Sequence, residues 1–343
     1  MKVSRLLLTS LCGAAFALTV PATAHAAYKA EYKLSTVLGN AFPWGQGAER
    51  WAQLVKERTG GRINIKVYPG AALVNGDQTR ELTSMRQGGI DMAVGSTINW
   101  SPQIRQLNLF ALPFLLPDYA ALDALTQGRV GTELFGVMEK AGIVPLAWGE
   151  NGFRELSNSK REIRNPADLK GLKIRIVGSP IFNETFSTLG ANPTQMSWAD
   201  AQPAMASGAV DGQENPLSLF SAAKLNTVGQ KYLTLWGYMA DPLVFAVNRK
   251  VWASWSPADQ KIVAQAARDA AREQIKLARA GISGQDNATL RAIGAQGVKV
   301  TALTPAEKAT FARAARPVYD KWAQRVGTGL VKQAETDIAK RKQ

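Results

Sequence analysis

The chain has 343 residues, with 41 lysines and arginines against 27 aspartates and glutamates and a formal net charge of +14. Its single cysteine, Cys12, and single histidine, His25, both fall in a stretch that reads as a secretory leader: basic Lys2 and Arg5, an apolar run over residues 6–20, then Ala24-His25-Ala26. Cleavage after Ala26 leaves a chain with neither imidazole nor thiol, which excludes Ser-His-Asp and Cys-His nucleophiles, zinc sites built on those residues, and disulfides.

The leader's apolar run is too short for a comfortable membrane span. Leu11 stands before Cys12 where a lipid-anchoring signal needs a small residue. The expectation is an exported, soluble protein without cofactor or metal, and a monomer. Its positive charges are scattered rather than clustered, which argues against a nucleic-acid partner and fits a weak pull on anionic solutes.

Hydrophobic periodicity predicts a strand over 32–36 and an amphipathic helix over 44–59 closed by Gly60-Gly61. A strand over 63–68 stops at Pro69-Gly70. A helix over 76–87 is closed by Gly88-Gly89, and a short buried strand follows over 90–94. This opening predicts an open, largely parallel sheet flanked by helices. Helices over 119–126 and 132–141 precede a strand over 143–148. A second α/β unit begins near Asn151, with a strand KIRIV, a helix over 179–189, a connector Ala191-Asn192-Pro193, and a helix capped by Ser197. A strand over 242–248 returns toward the first unit. Ser256-Pro257 starts a helix expected to reach about Asn287, on the order of 45 Å long. That helix is read either as a surface helix broken at Gly281 or as a brace across both units. Thr304-Pro305 starts another, to about Gly327. The division is a leader over 1–26, one lobe over 27–150 with 241–280, and a second over 151–240 with 281–343.

Two such units place a cleft where strand C-terminal ends meet. In KIRIV, Leu172, Ile174 and Ile176 share one face with Lys173 and Arg175 on the other, and the one arginine of this largely apolar strand is in a costly setting unless something pairs with it. An acid of the protein or an anion from outside would serve equally, and the residues alone leave both open. Asn215, read as a turn residue in QENP, can donate to a carboxylate or accept from a hydroxyl; its neighbours Gln213 and Glu214 are set aside. In the first unit the loops after strands offer Asn40, Phe42 and Trp44, then 73–78, then 96–100. Asn40, Asn99 and Trp100 are taken from these as candidate contacts, and Glu81 as a solvated surface residue.

The block PADLKGLKIRIVGSPIFNETFSTLGANPTQMSWADAQPAMASGAVDGQENP resembles the solute receptors of TRAP transporters, the tripartite ATP-independent periplasmic importers. So do WAQLVKERTGGRINIKVYPGAAL at 51–73, QGGIDMAVGS at 87–96 and LPFLLPDY at 112–119. GLKIR with DGQENP at this spacing is the specific part, and the resemblance covers nearly the whole mature chain. It implies an α/β, two-lobed periplasmic binding protein fold, with open mixed sheets, flanking helices and a long helix spanning both lobes. It further implies a receptor that closes on a small organic acid in the periplasm and presents it to TRAP membrane permease subunits, driven by an ion gradient.

On that resemblance Arg175 takes the place of the arginine that clamps the carboxylate, a task suited to its planar fork of donors. Arg154, in NGFREL, matches a second arginine directed at the same carboxylate. Trp198 matches an aromatic over the ligand, where family members commonly carry phenylalanine; its larger face tilts the reading toward a ring-bearing or sugar-derived acid. The rivals are the receptor of an ATP-driven importer, a ligand sensor, and a carboxylate-based enzyme, the last disfavoured by the lack of any paired-carboxylate motif.

Overall fold

In β1 (Tyr32–Thr36) every residue but Lys33 is buried, as suits a strand paired on both sides. A proline at its first position starts α1 (Pro43–Arg58), which buries Trp44, Ala48, Trp51 and Val55 along one side. The chain continues through β2 (Ile65–Tyr68), two short 3-10 turns at Ala72–Val74 and Gln78–Arg80, α2 (Glu81–Gln87), β3 (Met92–Ser96), α3 (Thr97–Trp100), α4 (Tyr119–Thr126), α5 (Arg129–Lys140) and β4 (Ile143–Phe153). A single residue, Arg154, separates β4 from β5 (Glu155–Asn158). Then come β6 (Lys173–Ile176), α6 (Pro180–Thr188), β7 (Asn192–Gln195), α7 (Trp198–Ala206), β8 (Gly212–Asn215), α8 (Leu217–Ala222), β9 (Tyr232–Leu235), β10 (Ala240–Asn248), α9 (Arg249–Ser254), α10 (Pro257–Arg279), α11 (Ala288–Ala295), β11 (Lys299–Ala302), α12 (Pro305–Val326) and α13 (Thr328–Lys340). The structure, a computed structural model, describes residues 28–282 and 286–340, so the leader and its cleavage point lie outside the described residues.

The strands form two sheets, in the orders β2-β1-β3-β10-β4 and β11-β9-β5-β8-β6-β7. β1 pairs in parallel with β2 and β3, whereas β10 runs antiparallel to β3 and β4. In the second sheet β5 is the antiparallel strand, between β8 and β9. The two halves are thus two-lobed, mixed α/β layers. The chain passes from the first sheet to the second at Arg154 and returns between β9 and β10, and the two crossings touch: the Arg154 amide donates to the Met239 carbonyl at 3.0 Å. α10 lies along α1 and β4, and the chain leaving it enters α11, packed on α8 and β11. α12 packs on α6, and α13 on α4 and α5.

The sequence reading differs from the structure in places with identifiable causes. The helix expected to reach Asn287 ends at Arg279, where Gly281 adopts φ +71° and a Cβ would approach Thr289 Oγ1 to 2.5 Å. Residues 192–195 are an edge strand rather than a connector; Pro193 is tolerated because β7 pairs on one side only, with β6. Asn215 ends a strand, not a turn, since β8 pairs with both β5 and β6. The expected helix over 76–87 resolves into a 3-10 turn and the shorter α2.

Candidate functional site

Between the sheets lies a cavity of about 20 Å³, room for little more than one water. From the first half it is lined by Val37 and Leu38 after β1, Trp44 at the head of α1, Gln78, and Ser96, Ile98 and Asn99 at the β3–α3 junction. From the crossings come Asn151, Arg154 and Asp241; from the second half come Arg175, Val177, Trp198, Asn215 and Leu219.

Arg175 is 1% exposed. Its Nε and Nη2 both donate to the Met196 carbonyl, at 3.1 and 2.9 Å, and its guanidinium lies 5.8 Å from the Trp198 ring. Among the described residues no carboxylate stands at ion-pair distance from it. Burial pushes its pKa down to about 10, against the pull of Glu214, so it is still a cation at neutral pH.

Arg154 is differently placed. Its Nε and Nη2 grip the Glu214 carboxylate, Nη2 to Oε1 at 2.7 Å, and Nη2 also donates to the Glu214 carbonyl at 2.6 Å. Nη1 reaches Asp241 at 3.4 Å. Burial opposes its charge, but Glu214 and then Asp241 outweigh that and raise its pKa. Glu214 also accepts from the Tyr238 hydroxyl at 3.0 Å. Asp241, whose pKa burial raises, accepts from Ser96 Oγ at 2.6 Å and Asn151 Nδ2 at 2.8 Å. Arg154 therefore sits in a satisfied network, and Arg175 is the cation left without a counter-charge.

Other polar side chains link the two halves around the cavity, and Asn215 is tied within the second sheet. Gln78 Nε2 donates to Asn99 Oδ1 at 2.9 Å, and its Oε1 accepts from the Trp198 amide at 3.0 Å. Ser101 and Ser179 hydroxyls meet at 3.0 Å, and Ser179 also donates to Asn108 Oδ1 at 3.3 Å. Asn215 Nδ2 donates to Gln213, whose amide continues to Ser157 at 2.9 Å.

Of the residues singled out from the sequence, Arg175, Arg154, Asn215, Trp198 and Asn99 line one cavity. Asn40 does not: the Gly39–Phe42 turn puts it at an exposed apex beside α1 and α10, where its carbonyl accepts from Gln46. Trp100 does not either. It is fully buried against Gly95, where a Cβ would come within 2.1 Å of the indole. Glu81 is no surface residue: it is fully buried and accepts from Ser35. The residues passed over are Glu214, Asp241 and Asn151. Glu214 stood beside Asn215 in the quoted motif, but nothing local reveals a partner sixty positions away in the chain.

Fold and cavity together define a two-lobed receptor with an uncompensated buried cation facing the cleft. The chain matches the family of bacterial extracellular solute-binding proteins, family 7, over residues 34–325. A TRAP periplasmic solute-binding protein of Ralstonia eutropha, with bound (S)-2-hydroxy-2-methyl-3-oxobutanoate, is 68% identical to it, with a TM-score of 0.91 covering 91% of this chain and 100% of that one. The sugar acid binding protein DctPAm of Advenella mimigardefordensis, in complex with galactonate, is 27% identical with a TM-score of 0.84, covering 90% and 98%. The C4-dicarboxylate-binding periplasmic protein DctP of Rhodobacter capsulatus is 32% identical over 337 residues, 96% of this chain and 97% of the relative. The chain belongs to this family: it is an extracellular solute receptor of the TRAP type, a class that binds small organic acids and works with TRAP permease subunits.

Proposed function

We propose that the protein is the periplasmic receptor for a short, branched 2-hydroxy or 2-oxo monocarboxylate, which it holds on Arg175 and releases unchanged to its permease. The observation that carries this reading is the Arg175 guanidinium, buried with no acid of the protein at ion-pair distance. A carboxylate would supply the missing charge through a forked pair of hydrogen bonds. Arg154 adds its field, but its fork is engaged by Glu214. Asn215 and Asn99 would take the hydroxyl or keto oxygens and Trp198 would cover the carbon skeleton.

The lining favours a short branched acid over a ring or a sugar acid, because five aliphatic side chains border the cavity: Val37, Leu38, Ile98, Val177 and Leu219. A polyhydroxylated chain would bury hydroxyls against them at about 1–3 kcal/mol for each left unpaired, whereas methyl groups gain from the same walls. The bound acid of the Ralstonia eutropha relative has this character. In the same reading the lobes are residues 27–150 with 241–280 and 151–240 with 281–343, the leader is removed after Ala26, and the mature receptor is a monomer without cofactor or catalytic turnover.

Calorimetry with the leader-free protein tests the ligand class. Saturable binding of 2-hydroxy-2-methyl-3-oxobutanoate, with at least about tenfold weaker binding of succinate and galactonate, is expected. A preference for galactonate or succinate overturns the ligand class, and binding of neutral sugars but no acids overturns the role of Arg175.

A further inference from the structure

Outside the cavity, on the far side of the Gln78–Trp198 contact, a second and much larger space opens between the lobes. It measures about 320 Å³ and is polar, with Asn75, Asp77, Thr79, Gln195, Ser197 and Asp200 among its walls. Gln78 is the one residue whose side chain borders both spaces. It is 5% exposed and held at both ends of its amide, by Asn99 in its own half and by the Trp198 backbone in the other. The turn that carries it is fixed in turn by Asp77, whose carboxylate accepts from the Thr79 amide at 3.1 Å and hydroxyl at 2.6 Å.

We infer that Gln78 is the specificity-determining partition of this receptor, closing an inner chamber that takes short acids off from an outer polar vestibule. The inference rests on the proposed function, because the acid's carboxylate is placed on Arg175 at the inner end. On this proposal a short acid seated on Arg175 stays on the inner side of Gln78, whereas a longer hydroxy acid has to pass the Gln78–Trp198 bridge, and its distal hydroxyls would then lie among the acceptors and donors of Asp77, Ser197 and Asp200. With the bridge made, the space beyond is closed to it. Gln78 thereby acts on ligand length, a property that Arg175 cannot read.

The test is calorimetry on the full mature chain and its Gln78→Ala variant, with 2-hydroxy-2-methyl-3-oxobutanoate as the short probe and galactonate as the long one. Loss of the bridge is expected to weaken the short acid by about tenfold, the worth of one or two hydrogen bonds, and to tighten galactonate by about tenfold or more over the parent. Opposite signs on the two ligands are the diagnostic, since a merely structural role for Gln78 weakens both. Gln78→Asn, which keeps the amide but withdraws it by one methylene, serves if the alanine variant fails to fold, and is expected to show the same signs at smaller size. A fall in both affinities, or an unchanged ratio, overturns the partition while leaving the proposed ligand class standing. A parent that prefers galactonate, with a ratio that Gln78→Ala shifts further, overturns the ligand class and supports the partition. No binding of either acid to either protein overturns both.

Discussion

Arg175 is 1% exposed, spends two nitrogens on one backbone carbonyl and has no carboxylate at ion-pair distance. Folding alone gives little reason to keep such a group, because desolvating a charge is costly and nothing of opposite sign offsets it. Arg175→Ala is therefore expected to melt no lower than the parent without ligand, while losing affinity for its acid by a factor on the order of 30 to several thousand. Arg175→Lys should fold as well and still bind poorly, since an ammonium lacks the planar fork. Lowered apo melting in both variants would instead mark a structural residue. Glu81 gives a second prediction at this scale. It is fully buried with Oε2 unpaired, and burial pushes its pKa up to about 7. Glu155 is raised to about 7 by burial too, despite donation from the Trp236 and Gly237 amides. A folded pKa above the unfolded value of about 4.3 means that the folded state holds the extra proton. That stability is complete below about pH 4.3 and is lost as pH rises through 7. With no histidine among the described residues to mask it, melting temperature should fall between about pH 4.3 and 7, and Glu81→Gln should flatten the fall and be more stable than the parent above about pH 7. A variant with the same slope as the parent would show that Glu81 does not titrate there.

At the scale of elements, α10 is held to β4 of the first sheet by Gln274 and by the Arg279–Glu150 ion pair, and Gln274 is the one that pairs with the strand backbone. Gln274 Oε1 accepts from the Glu150 amide at 2.9 Å, and its Nε2 donates to the Glu150 carbonyl at 2.6 Å. α1 comes close enough there that a Cβ on Gly47 would meet Gln274 Cγ at 2.5 Å. Gln274→Leu leaves both backbone groups of β4 unpaired, and urea denaturation should show a loss of about 2–4 kcal/mol; a loss below about 0.5 kcal/mol would place the pairing elsewhere. The starts of the long helices were legible because caps are local chemistry: Ser256 accepts from the Asp259 amide, and Thr304 with Glu307 forms a capping box before α12. The short strands were not. β5 and β8 read ELSN and GQEN, with no hydrophobic alternation, and they are strands because neighbours on both sides complete their ladders. The same division runs through the site. A lone arginine in KIRIV stands out on its own strand, whereas the Glu214 grip on Arg154 exists only once two distant strands pair. Trp100 misled because the space for its indole is made by a glycine five residues earlier, a packing fact that residue type does not reveal.

For the whole molecule, the described arrangement is closed. The halves meet through Gln78 and Trp198, and through Ser179 with Ser101 and Asn108, around about 20 Å³ of free space. An organic acid does not fit that space without the lobes parting, and the Arg154–Met239 crossing is where they are joined. Binding should therefore be a hinge motion, opening to admit the acid and closing on it. Small-angle scattering is expected to show a smaller radius of gyration at saturating acid than without it; identical profiles would mean that ligand enters by side-chain movement alone. The central claim is that the buried, uncompensated Arg175 is the carboxylate's partner, and a crystal structure of the mature protein with 2-hydroxy-2-methyl-3-oxobutanoate tests it most directly. The account predicts both carboxylate oxygens within about 2.7–2.9 Å of the Arg175 nitrogens, with the methyl groups against Val37, Leu38 and Leu219. An acid seated away from Arg175, or an Arg175 swung onto a carboxylate of the protein, would contradict it.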